Sequence, residues 1–274
     1  MLPRDRIRAA LARNVSRAGA SGADAARGPS LVAFITAGYP EPREFLNVLR
    51  AVAGAADAVE IGVPFSDPMA DGVTVQRSSQ RAIENGVSLR WILDELARRD
   101  YELPSPVLLM GYLNPLLAFG GQSKESVSGY GALAARAAEV GVSGFIVPDL
   151  PYEESAPLRA ALDVHGLALV QLVTPATPPE RLRALCAASQ GFVYAVTRTG
   201  ITGAESTLPT EIASYLAAAK AASELPVCAG FGVRRAEQVA TIARHVDGVA
   251  VGSALIEALE RGEDPAKFLR SLRG

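Results

Sequence analysis

After residue 30 the chain alternates short β-branched, apolar runs with longer stretches rich in Ala, Leu, Arg and Glu, and it does so eight times. That alternation constrains the fold more than any other feature, because strands joined through helices run parallel and must be covered on both faces. The predicted strands are Leu31 to Thr36, Ala58 to Ile61, Pro106 to Met110, Gly144 to Val147, Leu167 to Leu172, Phe192 to Val196, Val227 to Ala229 and Gly248 to Val251. Several are apolar throughout, as parallel strands buried on both faces require. Helical character marks Glu41 to Ala53, Leu89 to Arg99, Gly131 to Val140, Tyr152 to His165, Pro179 to Ala188, Thr210 to Ala222 and Arg234 to His245. Eight such units in 274 residues fit a closed (β/α)8 TIM barrel, typically about 250 residues long, better than an open sheet. No dinucleotide fingerprint follows the first strand, where FITAGYP supplies one glycine and then a proline. The expected layout is an N-terminal helix and connector over residues 1–30, with Ile7, Leu11 and Val15 as its apolar stripe, and a single barrel domain over 31–274. An Arg- and Ala-rich start also looks like a targeting peptide. The same bias pervades the chain, so the helix is the preferred reading.

The scarce residues then limit the chemistry. A net charge of −2 leaves no sequence-wide positive field for nucleic acid or an anionic membrane. No stretch approaches the roughly 18 uninterrupted apolar residues of a membrane-spanning helix. His165 and His245 are the only histidines, and Cys186 and Cys228 stand far apart, so neither a His/Cys metal site nor a disulfide framework is expected. With no apolar signal segment, the expected compartment is the cytoplasm. Lysine occurs only at Lys124, Lys220 and Lys267, none at a predicted strand end, which disfavours Schiff-base chemistry.

In a (β/α)8 barrel the chemistry sits where the strands end. Thr36, Glu60, Tyr112, Asp149, Thr174, Arg198, Gly230-Phe231-Gly232 and Gly252-Ser253 fall at those ends, whereas His165 and His245 fall at the opposite face. Glu60 is the sharpest of them, a carboxylate between Val59 and Ile61 in an otherwise apolar strand. It reads either as a buried acid paired to an arginine or as a general acid/base whose pKa burial raises. Asp71, in the turn-rich loop that follows, reads as a second carboxylate of the site or as a turn residue. The glycines after strands seven and eight suit backbone N–H groups that cradle a phosphate, and equally suit tight turns. A third glycine-bearing loop, TRTGITGAES, has the composition of a lid. Two connections are long: the one from strand two to Pro106, and the one from Arg198 to about Pro209.

The motifs FITAGYP, VEIGVPFSDPMADG, LMGYLNP, GFIVPDLPYEES, TRTGITG, AGFGV and VGSA, in this order, resemble the tryptophan synthase α chain family from about Leu31 to Leu255. The resemblance implies a lyase that cleaves indole-3-glycerol phosphate to indole and glyceraldehyde 3-phosphate, with no cofactor or metal of its own. It further implies a β chain that uses pyridoxal phosphate, in an α2β2 heterotetramer. Glu60 matches the family's general acid/base and Asp71 its second catalytic carboxylate. Phe34, Tyr112, Ile146, Tyr194 and Phe231 match the walls around the indole ring, and Gly203, Gly232, Gly252 and Ser253 the phosphate site. Thr202 matches the lid residue that closes onto the catalytic Asp. Pro64, Asp67 and the run Asn114 to Phe119 match regions facing the β chain. Two positions depart from the pattern: Val73 stands where proline is common, and Thr197 where serine is usual. Two other readings stay open at this point, a different phosphate-binding barrel such as a sugar-phosphate isomerase, and a silent barrel that only supports a partner.

Overall fold

The computed structural model describes residues 1–12, 29–120, 126–197, 208–230 and 232–273. Its elements run in chain order as α1 (Pro3–Ala12), β1 (Ser30–Thr36), α2 (Phe45–Ala53), β2 (Ala58–Gly62), α3 (Val73–Glu84), α4 (Leu89–Arg98), β3 (Val107–Met110), α5 (Leu113–Ala118), α6 (Ser126–Glu139), β4 (Val142–Ile146), α7 (Ala156–Val164), β5 (Ala168–Val173), α8 (Pro179–Ala188), β6 (Val193–Val196), α9 (Thr210–Ala222), β7 (Val227–Gly230), α10 (Ala236–Ala243), β8 (Gly248–Val251), α11 (Ser253–Glu260) and α12 (Pro265–Ser271). The strands pair parallel in sequence order and β8 closes on β1, giving the expected eight-stranded barrel.

Alternation along each strand divides the core in two. Outward residues such as Leu31, Ile35, Val59 and Leu109 pack against the helices. Inward residues, among them Val32, Ala58, Leu108, Val170 and Phe192, form a second cluster inside the barrel. Helix α1 belongs to that inner cluster: Ile7 and Leu11 are fully buried in it. Its amphipathic stripe thus plugs the N-terminal end of the barrel, where Ser30 Oγ donates to the Leu11 carbonyl at 2.9 Å and Arg4 meets Asp163 at 2.6 Å. Val15, the third residue of the expected stripe, lies outside the described residues.

The main departure from expectation is the connection after β2, which holds α3 and α4 rather than only α4. Helix α3 buries Ser78, Ser79 and Ala82, and Ser78 Oγ meets Thr36 Oγ1 at 2.6 Å. A helix that buries hydroxyls instead of leucines leaves no apolar stripe to read. Helix α12 is a further helix beyond the expected set, and it carries a start signal, Asp264 capping the N–H groups of Ala266 and Lys267 with Pro265 in the first turn. Other boundaries move by a few residues: Pro42–Glu44 and Tyr152–Glu154 are short 3-10 turns ahead of α2 and α7.

Candidate active site

The C-terminal ends of the strands surround a cavity of about 220 Å3 whose lining includes Phe34, Glu60, Asp71, Tyr194, Gly230, Gly232, Gly252 and Ser253. Glu60 reaches it from the middle of β2, in register with Phe34 on β1 and Leu108 on β3, and every residue of β2 is buried. Neither carboxyl oxygen has a hydrogen-bond partner among the described residues, so no described arginine pairs with this glutamate. Desolvation alone pushes its pKa from 4.5 up to about 8. The group is therefore mostly protonated at neutral pH and sits close to the balance point for giving and taking a proton.

Asp71 arrives from the loop between β2 and α3. That loop is fastened by its own backbone, with Asp71 N–H donating to the Pro68 carbonyl at 3.2 Å and the Gln76 amide donating to the Asp71 carbonyl at 2.9 Å. Burial raises the Asp71 carboxyl, and the Tyr112 hydroxyl, donating to Oδ2 at 3.1 Å, pulls it back. Tyr112 also accepts from Ala70 N–H at 2.8 Å and stacks on Phe65 with ring centroids 5.1 Å apart. Its own pKa is pushed up to about 12, first by burial and then by the Asp71 charge, so it stays a donor. Tyr112, expected in the ring wall, is thus held against the carboxylate. Ile146 is packed in the inner barrel cluster with Val32 and Leu108 rather than on the cavity surface.

Glycines make room for the cavity's aromatic rings and backbone. A Cβ on Gly62 would stand 2.4 Å from the Phe34 ring, and one on Gly230 would meet the Tyr194 hydroxyl at 3.0 Å. Gly232 has φ +64°, a conformation that side-chain-bearing residues rarely adopt. Gly252 caps α11, whose first N–H groups start beside the cavity. The loops are braced from behind: Arg234 forms a two-pronged ion pair with Glu257 of α11, which also accepts from Thr74 of α3 at 3.2 Å. Backbone donors at a helix start, with open space before them, suit an anion such as phosphate. No cluster of His, Cys, Asp and Glu able to hold a metal occurs among the described residues.

The remaining candidates separate by place. Phe231, Arg198, Thr202 and Gly203 lie outside the described residues, as does Lys124. Thr36 and Thr174 are spent on structural hydrogen bonds to Ser78 and Thr177, and Asp149 accepts from Leu113 N–H at 2.9 Å. His165 ends α7 and His245 precedes β8, both at the far end of the barrel, and Lys220 is paired with Asp247 there at 2.7 Å. At the rim, Asp67 and Asn114 are exposed while Pro64 is buried beneath them. Leu116 is buried in α5 and Leu117 faces outward. Val73 is the exposed first residue of α3, where proline suits the missing hydrogen bond of a first turn. Thr197 Oγ1 donates to the Gly230 carbonyl at 3.1 Å, a bond serine could also make. Met110, Leu172, Val196 and Ala250 also line the cavity without having been singled out. Period-two counting along each strand would have found them, since they point the same way as Glu60.

The family model described as tryptophan synthase alpha chain matches residues 21–272. Among curated relatives, the tryptophan synthase alpha chain of Nitratidesulfovibrio vulgaris (strain DP4) is 44% identical over 91% of this chain and 94% of its own. That of Chromobacterium violaceum is 44% identical over 84% of this chain and 86% of its own. Among solved structures, the alpha subunit from Legionella pneumophila superposes with a TM-score of 0.80 at 32% identity, covering 98% of this chain and 97% of that one. A tryptophan synthase structure from Mycobacterium tuberculosis gives a TM-score of 0.82 at 32% identity, covering 98% of this chain and 96% of that one.

Proposed function

Since the chain belongs to the tryptophan synthase alpha chain family, we propose that it is a lyase whose central cavity cleaves indole-3-glycerol phosphate to indole and glyceraldehyde 3-phosphate, with Glu60 and Asp71 as its catalytic residues. The observation that carries the reading is the Glu60 carboxyl, buried without a partner among the described residues and opening on the same cavity as Asp71. Glu60 first gives its proton to indole C3. The ring tautomer formed can accept a bonding pair. The Glu60 carboxylate then takes the proton of the glycerol hydroxyl, the carbon–carbon bond to the ring breaks, its electrons return to the ring, and the former hydroxyl carbon leaves as an aldehyde. Positive charge developing at the ring N–H is met by the Asp71 carboxylate. This chemistry asks for no metal and no cofactor in this chain, and pyridoxal phosphate belongs to the β chain. The bond broken here is carbon–carbon; the carbon–oxygen lyase class describes the complete synthase reaction, including the serine half.

Phe34 and Tyr194, with Phe231, form the ring walls in this proposal, and Ile146 supports them from the inner core. Gly232, Gly252 and Ser253, with Gly203, hold the phosphate, and Thr202 closes onto Asp71. The β chain docks at the rim that carries Asp67 and Asn114, over Pro64, where Met69 and Val73 expose apolar surface (87% and 77%). We place the protein in the cytoplasm as half of an α2β2 assembly that passes indole on directly, since free indole is apolar enough to escape through lipid.

Indole assayed from indole-3-glycerol phosphate is expected to appear with an equal amount of glyceraldehyde 3-phosphate, faster once a β chain is added. An isomerised or epimerised phosphate ester, or no product even with the β chain, would reject the proposal. Tyr112 is a positioning residue here, because it holds Asp71 without reaching the ring itself. Tyr112→Phe is expected to lower kcat about tenfold, the worth of one hydrogen bond to a charged group, with KM little changed. Losing that donor also raises the Asp71 pKa, so the acidic limb of kcat/KM moves to higher pH. An unmoved limb would leave Tyr112 a packing role only.

A further inference from the structure

Strand β5 turns Val170 and Leu172 into the barrel and Leu169 and Val173 outward toward the helices. Gln171 stands in that outward apolar row at 6% exposure. Its backbone N–H donates to Ser189 Oγ at 2.9 Å, while the side-chain carboxamide makes no hydrogen bond among the described residues. Buried amides are rarely left so, because an unmet donor and acceptor are costly. This one is not sealed in protein. The β4–β5 ladder ends at Ile146 and Val170, the strands part beyond it, and Gln171 borders the cavity of about 320 Å3 that opens between β5, α8 and the loop after β4.

The walls of this second cavity define what it can take. Pro148, Leu150, Pro151, Leu169 and Leu185 give it flat apolar sides, with Tyr152 at its edge. Of its charged side chains, Arg181 is paired with Glu153, and Asp149 is turned toward α5, where its Oδ1 accepts from Leu113 N–H. Thr177 Oγ1 is engaged by Thr174. In this lining, the buried polar side chain left without a hydrogen-bond partner among the described residues is the Gln171 carboxamide, which offers an N–H donor and a carbonyl acceptor in a single plane. A ligand meets both at once only with its own donor and acceptor side by side on a planar edge. We propose that this lateral cavity binds a neutral planar heteroaromatic compound carrying an N–H beside a carbonyl, its edge paired with the Gln171 carboxamide and its ring between the proline and leucine walls.

The site is separate from the central cavity and does not rest on the cleavage chemistry, yet the two share Pro148 and Leu172. An occupant therefore presses on a wall of the central cavity and is expected to alter turnover there. The test is calorimetric titration of the full chain with quinolin-2(1H)-one as the probe, followed by a crystal soak to locate it. Saturable one-to-one binding is expected, with the ring found beside Gln171. N-methylquinolin-2-one, which lacks the donor, and Gln171→Leu, which removes the carboxamide, should each weaken binding about tenfold. Equal affinity for the two compounds, no saturable binding up to the solubility limit, or density only in the central cavity would overturn the proposal. The N-methyl comparison leaves the protein untouched, so it decides the matter whether or not the variant folds.

Discussion

Glu60→Gln is expected to lower kcat for indole release by about 10³-fold, within the usual worth of a general acid/base, while leaving substrate affinity near that of the parent. Gln keeps the shape of Glu and can still donate a hydrogen bond, but it cannot deliver a proton to carbon or collect one from a hydroxyl. Both transfers in the proposed reaction run through this one group, so nothing remains to carry either. Affinity is set elsewhere, by backbone groups around Gly232, Gly252 and Ser253 and by the ring walls, none of which touches the substituted atoms in the proposed pose. The parent enzyme has its own signature. With the free-enzyme pKa at about 8, kcat/KM for cleavage should fall as pH rises past that value, because C3 protonation needs the neutral carboxyl. Steady-state kinetics of both proteins, with binding of a non-cleavable substrate analogue measured directly, checks the expectation. Parent-like turnover, or a loss confined to KM, would remove Glu60 from the chemistry.

The barrel was legible because each strand carries its own apolar run and the runs alternate with helix-forming stretches; closure then follows from the number of units. Glu60 was legible for the opposite reason, as the one carboxylate in a strand whose every residue is buried. Helix α3 was hidden because its inner face is Ser78, Ser79 and Ala82, and burial of hydroxyls leaves no hydrophobic period. The tie between Tyr112 and Asp71 was hidden too, since 41 residues separate them and only the parallel pairing of β2 with β3 brings the end of β3 to the loop after β2. Gln171 escaped notice because one polar residue in a strand resembles the ordinary alternation of a solvent-facing sheet. Only the closed barrel shows that its row faces helices, where an unpaired amide needs an explanation.

The same burial that prepares Glu60 for proton transfer should be measurable as lost stability, and Glu60→Gln should recover it. Glu60 titrates near 8 in the folded chain and near its ordinary 4.5 when unfolded. Between those values the folded state keeps a proton that the unfolded state has released, so stability falls as pH rises, at up to about 1.4 kcal/mol per unit. Below 4.5 both states are protonated and above 8 both are ionised, so the loss is absent at acid pH and complete at alkaline pH. Glutamine carries no such charge. The variant should therefore match the parent within about 1 kcal/mol near pH 4 and exceed it by a few kcal/mol near pH 9, on the order expected for a desolvated carboxylate. Every other titrating group is common to both proteins and cancels in the difference. Denaturant unfolding of the pair at several pH values gives that difference directly. A gap that stays constant with pH would mean the carboxyl is solvated in the folded chain, and the proposed acid/base role would lose its physical basis. A gap that opens between pH 5 and 8 would mean that the residue expected to matter most for turnover is kept at the expense of stability, as strained or desolvated catalytic groups commonly are.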